Sequence, residues 1–449
     1  MRARKHSGIW RELGSRHFWG LGFLILWCSV PAGLFGQMTA RGLGMGGAYT
    51  ALARGVHAPM WNPANLGLPD NPKFSMTFIS VGAGVWNNSF TKEMYDKYLV
   101  NGTKDEDGNI IWTQQDIEDI LNHIPDGGFG LDVGASFGTF SFSTGRFAMT
   151  IGAKAGTYLK LDKTFFEIPL EGTDINEEYN FDNSDGRALG VGVVGLSWGQ
   201  PLNVSFADAF AVGGTVNILY GGAYGQPDKT ELTVATETYG IDIDGEYRVT
   251  YAYLGGVGWG LDLGTAAQIG KKWTVSFGLA NVLGSIPFSN NIEIQEGYFR
   301  GDSLSVVSDF EEDFVDSTWT IDGESFTTKL PTILRLGCSY REGSVLLTAD
   351  YRQGFHNTAF ASSTPRFALG TEWKGLKWLP LRMGVVMGGR IGFGTSFGLG
   401  IRPGGFVFDI GVMNRGFVVP KNSKGLIVAV EIGMELHRKK SEVVEVGDF

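Results

Sequence analysis

Apolar and polar residues alternate with a period of two along most of this chain, the pattern of strands with one greasy face and one polar face. The last such segment is the clearest. Leu426, Val428, Val430, Ile432, Met434 and Leu436 fall on one side, and Ile427, Ala429, Glu431, Gly433 and Glu435 on the other. Phe367, Leu369, Thr371 and Trp373 repeat it against Arg366, Ala368, Gly370 and Glu372, and Trp273, Val275, Phe277 and Leu279 repeat it against Lys272, Thr274, Ser276 and Gly278. Read this way, the chain holds strands at 73–86, 131–143, 145–160, 187–199, 209–225, 248–269, 272–283, 330–341, 344–354, 365–374, 380–390, 393–402, 405–415 and 425–437. The 248–269 run gives a strand of about 20 residues, far beyond the usual 5–6 of globular sheets. Tight turns are expected at Gly270-Lys271, Glu342-Gly343 and Pro403-Gly404, and long connections at 161–186, 226–247, 284–329 and 416–424. The connection at Arg390-Ile391-Gly392 is short although it belongs with the long ones. The alternation slips by one residue in 73–86, after Phe74, Met76 and Phe78, and in 187–199, after Leu189, Val191 and Val193. Each slip predicts a β-bulge, and with it a bend that opens a lateral gap or simply curves the wall.

Fourteen long strands with short turns on one side and long connections on the other predict an all-β fold, a 14-stranded antiparallel transmembrane β-barrel. A soluble β-sandwich shows the same alternation with its greasy face inward, but not strands of this length. The one long apolar stretch, Leu21–Val30, is too short for a membrane helix. It follows Arg2, Arg4, Lys5, Arg11 and Arg16, as the apolar region of a signal peptide does. Cleavage after Ala32 or Gly36 is expected, which assigns 1–36 to the signal. Its removal takes away five basic residues and the acid Glu12, so the formal charge moves from -10 to -14. A polyanion such as nucleic acid is thereby excluded as a partner. Cys28 leaves with the signal, and Cys338 alone forms no internal disulfide. Glycine, at 67 of 449 residues, and 13% aromatics fit a membrane barrel in the outer membrane of a bacterium.

No motif carries enzyme chemistry, and no catalytic residue, metal ligand or cofactor is assigned. Gly42-x-Gly44-x-x-Gly47 spells a dinucleotide fingerprint without the strand and βαβ unit it needs. Gly394-Thr395-Ser396-Phe397-Gly398 spells a nucleophile elbow inside an alternating strand. His57, His123, His356 and His437 have no metal spacing. Asp105-x-Asp107-x-Asn109 opens like a calcium loop, but Ile110 stands where the loop needs glycine. The acids of 302–324 (Asp302, Asp309, Glu311, Glu312, Asp313, Asp316, Asp322 and Glu324) read as a solvated outer loop. Residues 113–124 predict a helix capped by Thr113 and Asp116. Its stripe of Ile117, Ile120, Leu121 and Ile124 is either an extracellular capture groove or a lid packed on the barrel mouth. The polar strand faces carry Arg335, Arg341, Asp350, Arg352, Arg366, Glu372, Arg382, Arg390, Asp409, Arg415, Glu431 and Glu435. Inside a barrel such residues pair across strands, and an Arg fork among them can also hold a carboxylate headgroup.

Gly44-Met45-Gly46-Gly47 and Trp61-Asn62-Pro63-Ala64-Asn65, with Leu330–Gly337 and Leu347–Arg352, resemble the FadL superfamily of outer-membrane barrels, including its PorV-like branch. The likeness is closest to members carrying a domain of unknown function. It implies an N-terminal segment folded into the lumen as a hatch, here 37–72, ahead of a barrel over 73–437 with a helical insert at about 90–126 and a tail at 438–449. It also implies passive uptake of a hydrophobic molecule, fatty-acid-like or aromatic, or instead a secretion-accessory scaffold without transport. Outer-membrane lipid and, during biogenesis, the barrel-assembly machinery are the implied partners. The insert after strand one departs from the transporter pattern. Asn62 and Asn65 suit a hatch because their amides can bond free backbone groups in a polar lumen. Pro63 restricts Asn62 to an extended conformation. With Arg335, Asp350, Arg352, Arg366 and Glu372 they are the expected lumen residues, whether the hatch moves or is a static plug.

Overall fold

In the computed structural model the described residues are 39–437 except 106, 107, 109, 271, 305–313 and 419. The expected signal peptide, the 438–449 tail, and Asp107, Asn109, Asp309, Glu311, Glu312 and Asp313 lie outside them. Among the described residues nineteen strands form one sheet. In chain order, β1–β3 are Phe74–Asn87, Phe129–Thr144 and Phe147–Leu161, and β4–β6 are Glu177–Asn180, Asp185–Leu202 and Ala209–Thr236. β7–β9 are Ile241–Tyr253, Val257–Ile269 and Trp273–Phe288, and β10–β12 are Ile292–Leu304, Phe314–Asp322 and Phe326–Lys329. β13–β16 are Ile333–Glu342, Val345–Gly354, Arg366–Trp373 and Leu381–Gly388, and β17–β19 are Gly392–Ile401, Phe406–Arg415 and Gly425–Leu436.

β1 pairs with β2 on one side and with β19 on the other, so the sheet closes on itself. The ring is β1, β2, β3, β5, β6, β8, β9 and β13 through β19, fourteen antiparallel strands. Closure leaves no backbone edge unpaired, which a sheet in lipid cannot tolerate. The tight turns lie at one end, where Gly145, Gly270, Gly343 and Gly404 take positive φ. The long connections lie at the other.

The polarity is inside out. Phe137, Leu196, Trp198, Val216, Ile218, Trp259, Phe277, Phe367, Leu369 and Met383 are exposed on the outer face. Ser75, Thr215, Ser276, Arg335, Thr348, Glu372, Arg382, Asp409 and Glu431 are buried on the inner one. No described helix is long and apolar enough to cross a membrane. The fourteen ring strands, each longer than the 9–11 residues a tilted crossing needs or close to it, are the elements with the right surface.

Two expectations need correction. The 248–269 segment is not one strand but β7 followed by β8, broken at Leu254, whose φ is +51°. The break has a packing cause. The Phe288 ring fills the space beside Gly255 and Gly221, where a Cβ would sit 2.3 and 2.8 Å from it. The connections expected at 226–247 and 284–329 are also largely strand. Beyond the barrel rim, β4, upper β6, β7, β10 and β11 continue as a side-by-side sheet.

The bulge expected in the first strand lies at Phe78, between Thr77 and Ile79, where β1 gains a residue on β19. The bulge expected in 187–199 is absent: β5 pairs with β3 without a shift, and its phase changes because Leu189 and Val191 are buried on the inner face while Leu196 and Trp198 are exposed on the outer one, the nearby bulge at Gly222 lying in β6. The ladder between β2 and β3 also lapses between Gly138 and Phe142. There the Ser141 hydroxyl stands in for it, taking the Ile151 amide at 2.9 Å.

Residues 39–72 fill the lumen at the turn end as short helices, among them α1 (Ala40–Gly44) and α2 (Ala58–Trp61). Outside the ring, α3 (Lys92–Tyr95), α4 (Gln114–His123) and α5 (Thr164–Glu171) come from the first two long connections. α4 has the expected capping box of Thr113 and Asp116. The Thr113 hydroxyl and amide hold the Asp116 carboxyl below the usual carboxylate range.

Glycines on the inner face make room for the plug backbone. A Cβ at Gly384 would lie 2.3 Å from the Gly46 nitrogen, one at Gly213 2.4 Å from the Ala64 nitrogen, and one at Gly411 2.2 Å from the Ala40 carbonyl. Gly384→Val should therefore unseat residues 39–72. The expected result is faster trypsin cleavage within the plug, or loss of the heat-modifiable folded band on a gel. Gly127→Ala, with nothing within 4 Å, should leave both unchanged.

Candidate functional site: the lumen plug and its seat

The plug is held by its own short-range chemistry before it meets the wall. Thr39 caps α1 by accepting the Gly42 amide at 3.2 Å. Gly46 and Gly47, at φ +69° and +79°, reverse the chain after α1 in a conformation that other residues adopt only with strain. The Gly47 amide closes that turn on the Gly42 carbonyl at 2.8 Å. Asn62 is extended, as the following Pro63 predicts, and its Oδ1 accepts the Ala64 amide at 3.1 Å. The Asn65 amide group donates to the carbonyls of Thr50 at 2.8 Å and Ala53 at 3.0 Å.

The wall then grips the plug through buried charged groups. Arg41 of α1 forms a two-pronged pair with Glu372 of β15, at 3.0 and 2.8 Å. Glu372 also takes Arg382 of β16 at 2.7 Å and Lys374 at 3.0 Å. Arg382 continues to Asp409 of β18 at 2.6 Å, which also takes Arg402 at 2.5 Å. Glu372 and Asp409 are 0% exposed and Arg382 is 2% exposed, so none of these charges has water as an alternative partner.

The other expected lumen residues sit around the same plug. Asp350 accepts the amides of Tyr49 at 3.0 Å and Thr50 at 2.8 Å. Arg335 donates to the Met60 carbonyl at 3.0 Å, and Arg366 to the Gly46 carbonyl at 2.7 Å. Asn62 reaches the wall at the Thr265 carbonyl, 2.8 Å, and Asn65 accepts the Ser276 hydroxyl at 3.1 Å. Pro63 is buried and opens a short helical turn against Gly213. Arg352 points into the lumen but bonds the Phe360 carbonyl at 3.2 Å, away from the plug.

Some residues were not foreseen as a unit. His57 Nε2 lies 2.5 Å from Glu431 Oε1, and its Nδ1 lies 3.3 Å from the Tyr49 hydroxyl. Thr77 donates to the same Glu431 oxygen at 2.9 Å. The one signal for this pair was an inward acid on β19 together with a histidine in a segment of small residues. Arg341 was expected on the lumen face but is exposed at the turn end.

Between the plug and the long-loop end lies a cavity lined by Leu43, Thr50, Trp61, Asp350, Arg352 and Arg366 among others, with about 40 Å³ open to the centre of a water molecule. The helix stripe, expected as a groove or as a packed lid, is mostly covered. Ile120, Leu121 and Ile124 are buried, with Ile120 packed among Met94, Tyr98, Phe90 and Leu170. The stripe itself therefore offers no open groove. Ser396 of the Gly394–Gly398 run sits in β17, in the barrel wall.

A family model described as a family of unknown function, DUF5723, matches residues 79–412. No curated protein sequence matches the chain. Among solved structures, the toluene transporter TbuX of Ralstonia pickettii is 14% identical, over 91% of this chain and 100% of its own, with a TM-score of 0.49. The toluene transporter TodX of P. putida is 10% identical over 91% and 99%, with a TM-score of 0.46. A FadL homologue of Pseudomonas aeruginosa is 12% identical over 91% and 99%, also with a TM-score of 0.46.

Glu372 is the acceptor shared by three cations. Glu372→Gln is expected to lower the unfolding free energy by about 3–5 kcal/mol, because it strands buried charge. The measurement is the urea midpoint in detergent, with trypsin cleavage at Arg41 as a local reporter. Lys272→Ala breaks the exposed pair with Glu342 and should cost at most about 1 kcal/mol.

Proposed function

The chain belongs to the DUF5723 family, and from the architecture of its lumen we propose that it stands in the bacterial outer membrane as a barrel admitting a hydrophobic small molecule, fatty-acid-like or aromatic. The observation that carries this reading is a large apolar cluster on the inner face. Toward the long-loop end Leu189, Val191, Leu219, Ile286, Phe288 and Leu330 form one buried cluster, with Tyr224 and Phe326 against it. A pore for polar solutes keeps its lining wet and polar. A greasy lining, with Arg335, Arg352 and Arg366 beyond it, suits a molecule that is mostly apolar and carries at most a small polar end.

A route for such a molecule runs from the long-loop end, through this cluster, to the cavity above the plug. The ring ladder lapses with a side chain standing in at two places, in β2–β3 at 139–141 and in β8–β9 at 280–282, where the Asn281 amide donates to Asp262 at 2.7 Å, and the first of them is our candidate for lateral exit into lipid. The path is shut in the state described, so passage needs the plug or the segment above it to move. Outer-membrane lipid is the solvent for the outer face, and the barrel-assembly machinery inserts the chain.

One observation favours a second reading, a PorV-like scaffold or secretion accessory without transport. The plug is fixed by buried ion pairs and leaves a cavity of only about 40 Å³ open to the centre of a water molecule. The two readings are separated by uptake of radiolabelled oleate and toluene into cells with and without the gene. Faster uptake of either with the gene is the expected result. Equal uptake of both, together with a stoichiometric protein partner on affinity purification, would establish the scaffold instead.

A further inference from the structure

The connection between β14 and β15, residues 355–364, does not stand outside the barrel with the other long connections. It folds inward. Ala359, Phe360 and Ala361 are 3–4% exposed, whereas Phe355 is 54% exposed. Phe360 and Ala359 belong to the apolar cluster of Leu189, Val191, Leu219 and Phe288.

The wall holds this segment by its backbone. Arg187 donates to the Asn357 carbonyl at 2.7 Å. Arg390 donates to the carbonyls of Thr358 at 2.8 Å and Ala359 at 3.3 Å. Arg352, a cavity residue, donates to the Phe360 carbonyl at 3.2 Å. The Lys154 ammonium stands 5.1 Å from the centre of the Phe360 ring. The segment also carries its own turn: Thr358 N donates to the Ala361 carbonyl at 3.0 Å, and Ser363 N to Asn357 Oδ1 at 2.9 Å. It can therefore move as a unit between Gly354 and Pro365.

The acceptors are what distinguish this grip from that on the plug. Residues 355–364 contain no acid. The segment offers three guanidinium groups and one ammonium only neutral carbonyls and a ring face, while on the wall Arg187 keeps Asp185 and Arg390 keeps Asp132, each at 3.4 Å. These are weaker partners for a cation than a carboxylate, whose charge-assisted bonds are about twice as strong as neutral ones. Such a closure seats firmly through Phe360 yet leaves no charge stranded without water when it lifts, because the cations then face the solvent-filled mouth.

We propose that residues 355–364 are a latch that shuts the lumen cavity off from the long-loop end, pinned by Arg187, Arg352, Arg390 and Lys154 and released when Phe360 leaves its apolar seat. The latch rests on the uptake reading for its purpose, but its test uses no uptake. In a full-length background lacking Cys28 and Cys338, Ala368→Cys places a thiol on the cavity wall. Intact cells are treated with a small, membrane-impermeant, negatively charged methanethiosulfonate, and the labelling rate is read by mass.

Labelling should be slow with the latch intact and at least about tenfold faster with Phe360→Ala, since losing a buried ring weakens its seat. The double change Arg352→Gln with Arg390→Gln should act in the same direction, and Phe355→Ala on the exposed side should not. Should Phe360→Ala give no heat-modifiable folded band, replacing 357–361 by a glycine-serine link carries the same expectation. Equal rates in the parent and in a folded latch variant would overturn the proposal. Fast labelling in the variants without uptake of oleate or toluene by the parent would leave the latch standing and remove the transport reading.

Discussion

A sheet that faces lipid must pair every backbone donor and acceptor within itself, and closure into a ring is the way to do so. That constraint fixes the rest of this molecule. Fourteen strands in a ring enclose an interior, and the outer face, not the inner one, must be greasy. Polar groups are then forced into a space with little water, where each costs free energy unless bonded. The interior is therefore built as a bonding problem. Glu372, Asp409 and Glu431 on the wall are answered by Arg41, Arg382, Arg402 and His57, and two of those partners come from the plug. The plug is part of the wall's electrostatics as much as an obstacle in the lumen.

The same constraint explains the glycine content. A plug of short helices and turns presents backbone, not long side chains, to the wall, and backbone comes close only where the wall has no Cβ. Gly199, Gly213, Gly337, Gly370, Gly384, Gly398 and Gly411 all lie where a Cβ would come within 3.0 Å of a plug atom. Glycine destabilises a strand interior on entropic grounds. Here the loss is offset by direct backbone contact across the lumen, which lets Asp350 reach two plug amides and Arg366 a plug carbonyl.

Much of this was legible in the sequence because period two is a strong signal when one face meets lipid. The number of ring strands, the turns at Gly270, Gly343 and Gly404, the Phe78 bulge and the inward set Arg335, Asp350, Arg352, Arg366 and Glu372 all follow from alternation. The parts that were not legible are those set by contacts between distant segments. Nothing local to 248–269 says that Phe288 will sit against Gly255 and interrupt the strand. The sheet beyond the rim uses the same alternation as the barrel, and sequence alone does not say where lipid ends. The pairing of His57 with Glu431 joins residues 374 apart in sequence. The inward fold of 355–364 is hidden for a different reason: its bonds are made by backbone carbonyls, which every residue has.

The two closures of the lumen differ in the strength of their ties. Lifting the plug takes Arg41 from Glu372, which keeps Arg382 and Lys374, but it also takes His57 from Glu431, which keeps only a hydroxyl bond from Thr77, so a buried carboxylate loses its basic partner in a dry site, at a cost of several kcal/mol. Lifting the 355–364 segment breaks bonds from Arg187, Arg352 and Arg390 to neutral carbonyls, each worth less, and withdraws one phenyl ring from an apolar seat. Opening from the long-loop end is therefore the easier of the two motions. On the proposed uptake reading, a ligand that enters there meets the apolar cluster first and the guanidinium groups second. The order of the lining makes the greasy part of a molecule the part that gains contact at the step where the segment must yield, and leaves the plug, with its stronger ties, as the second and slower barrier.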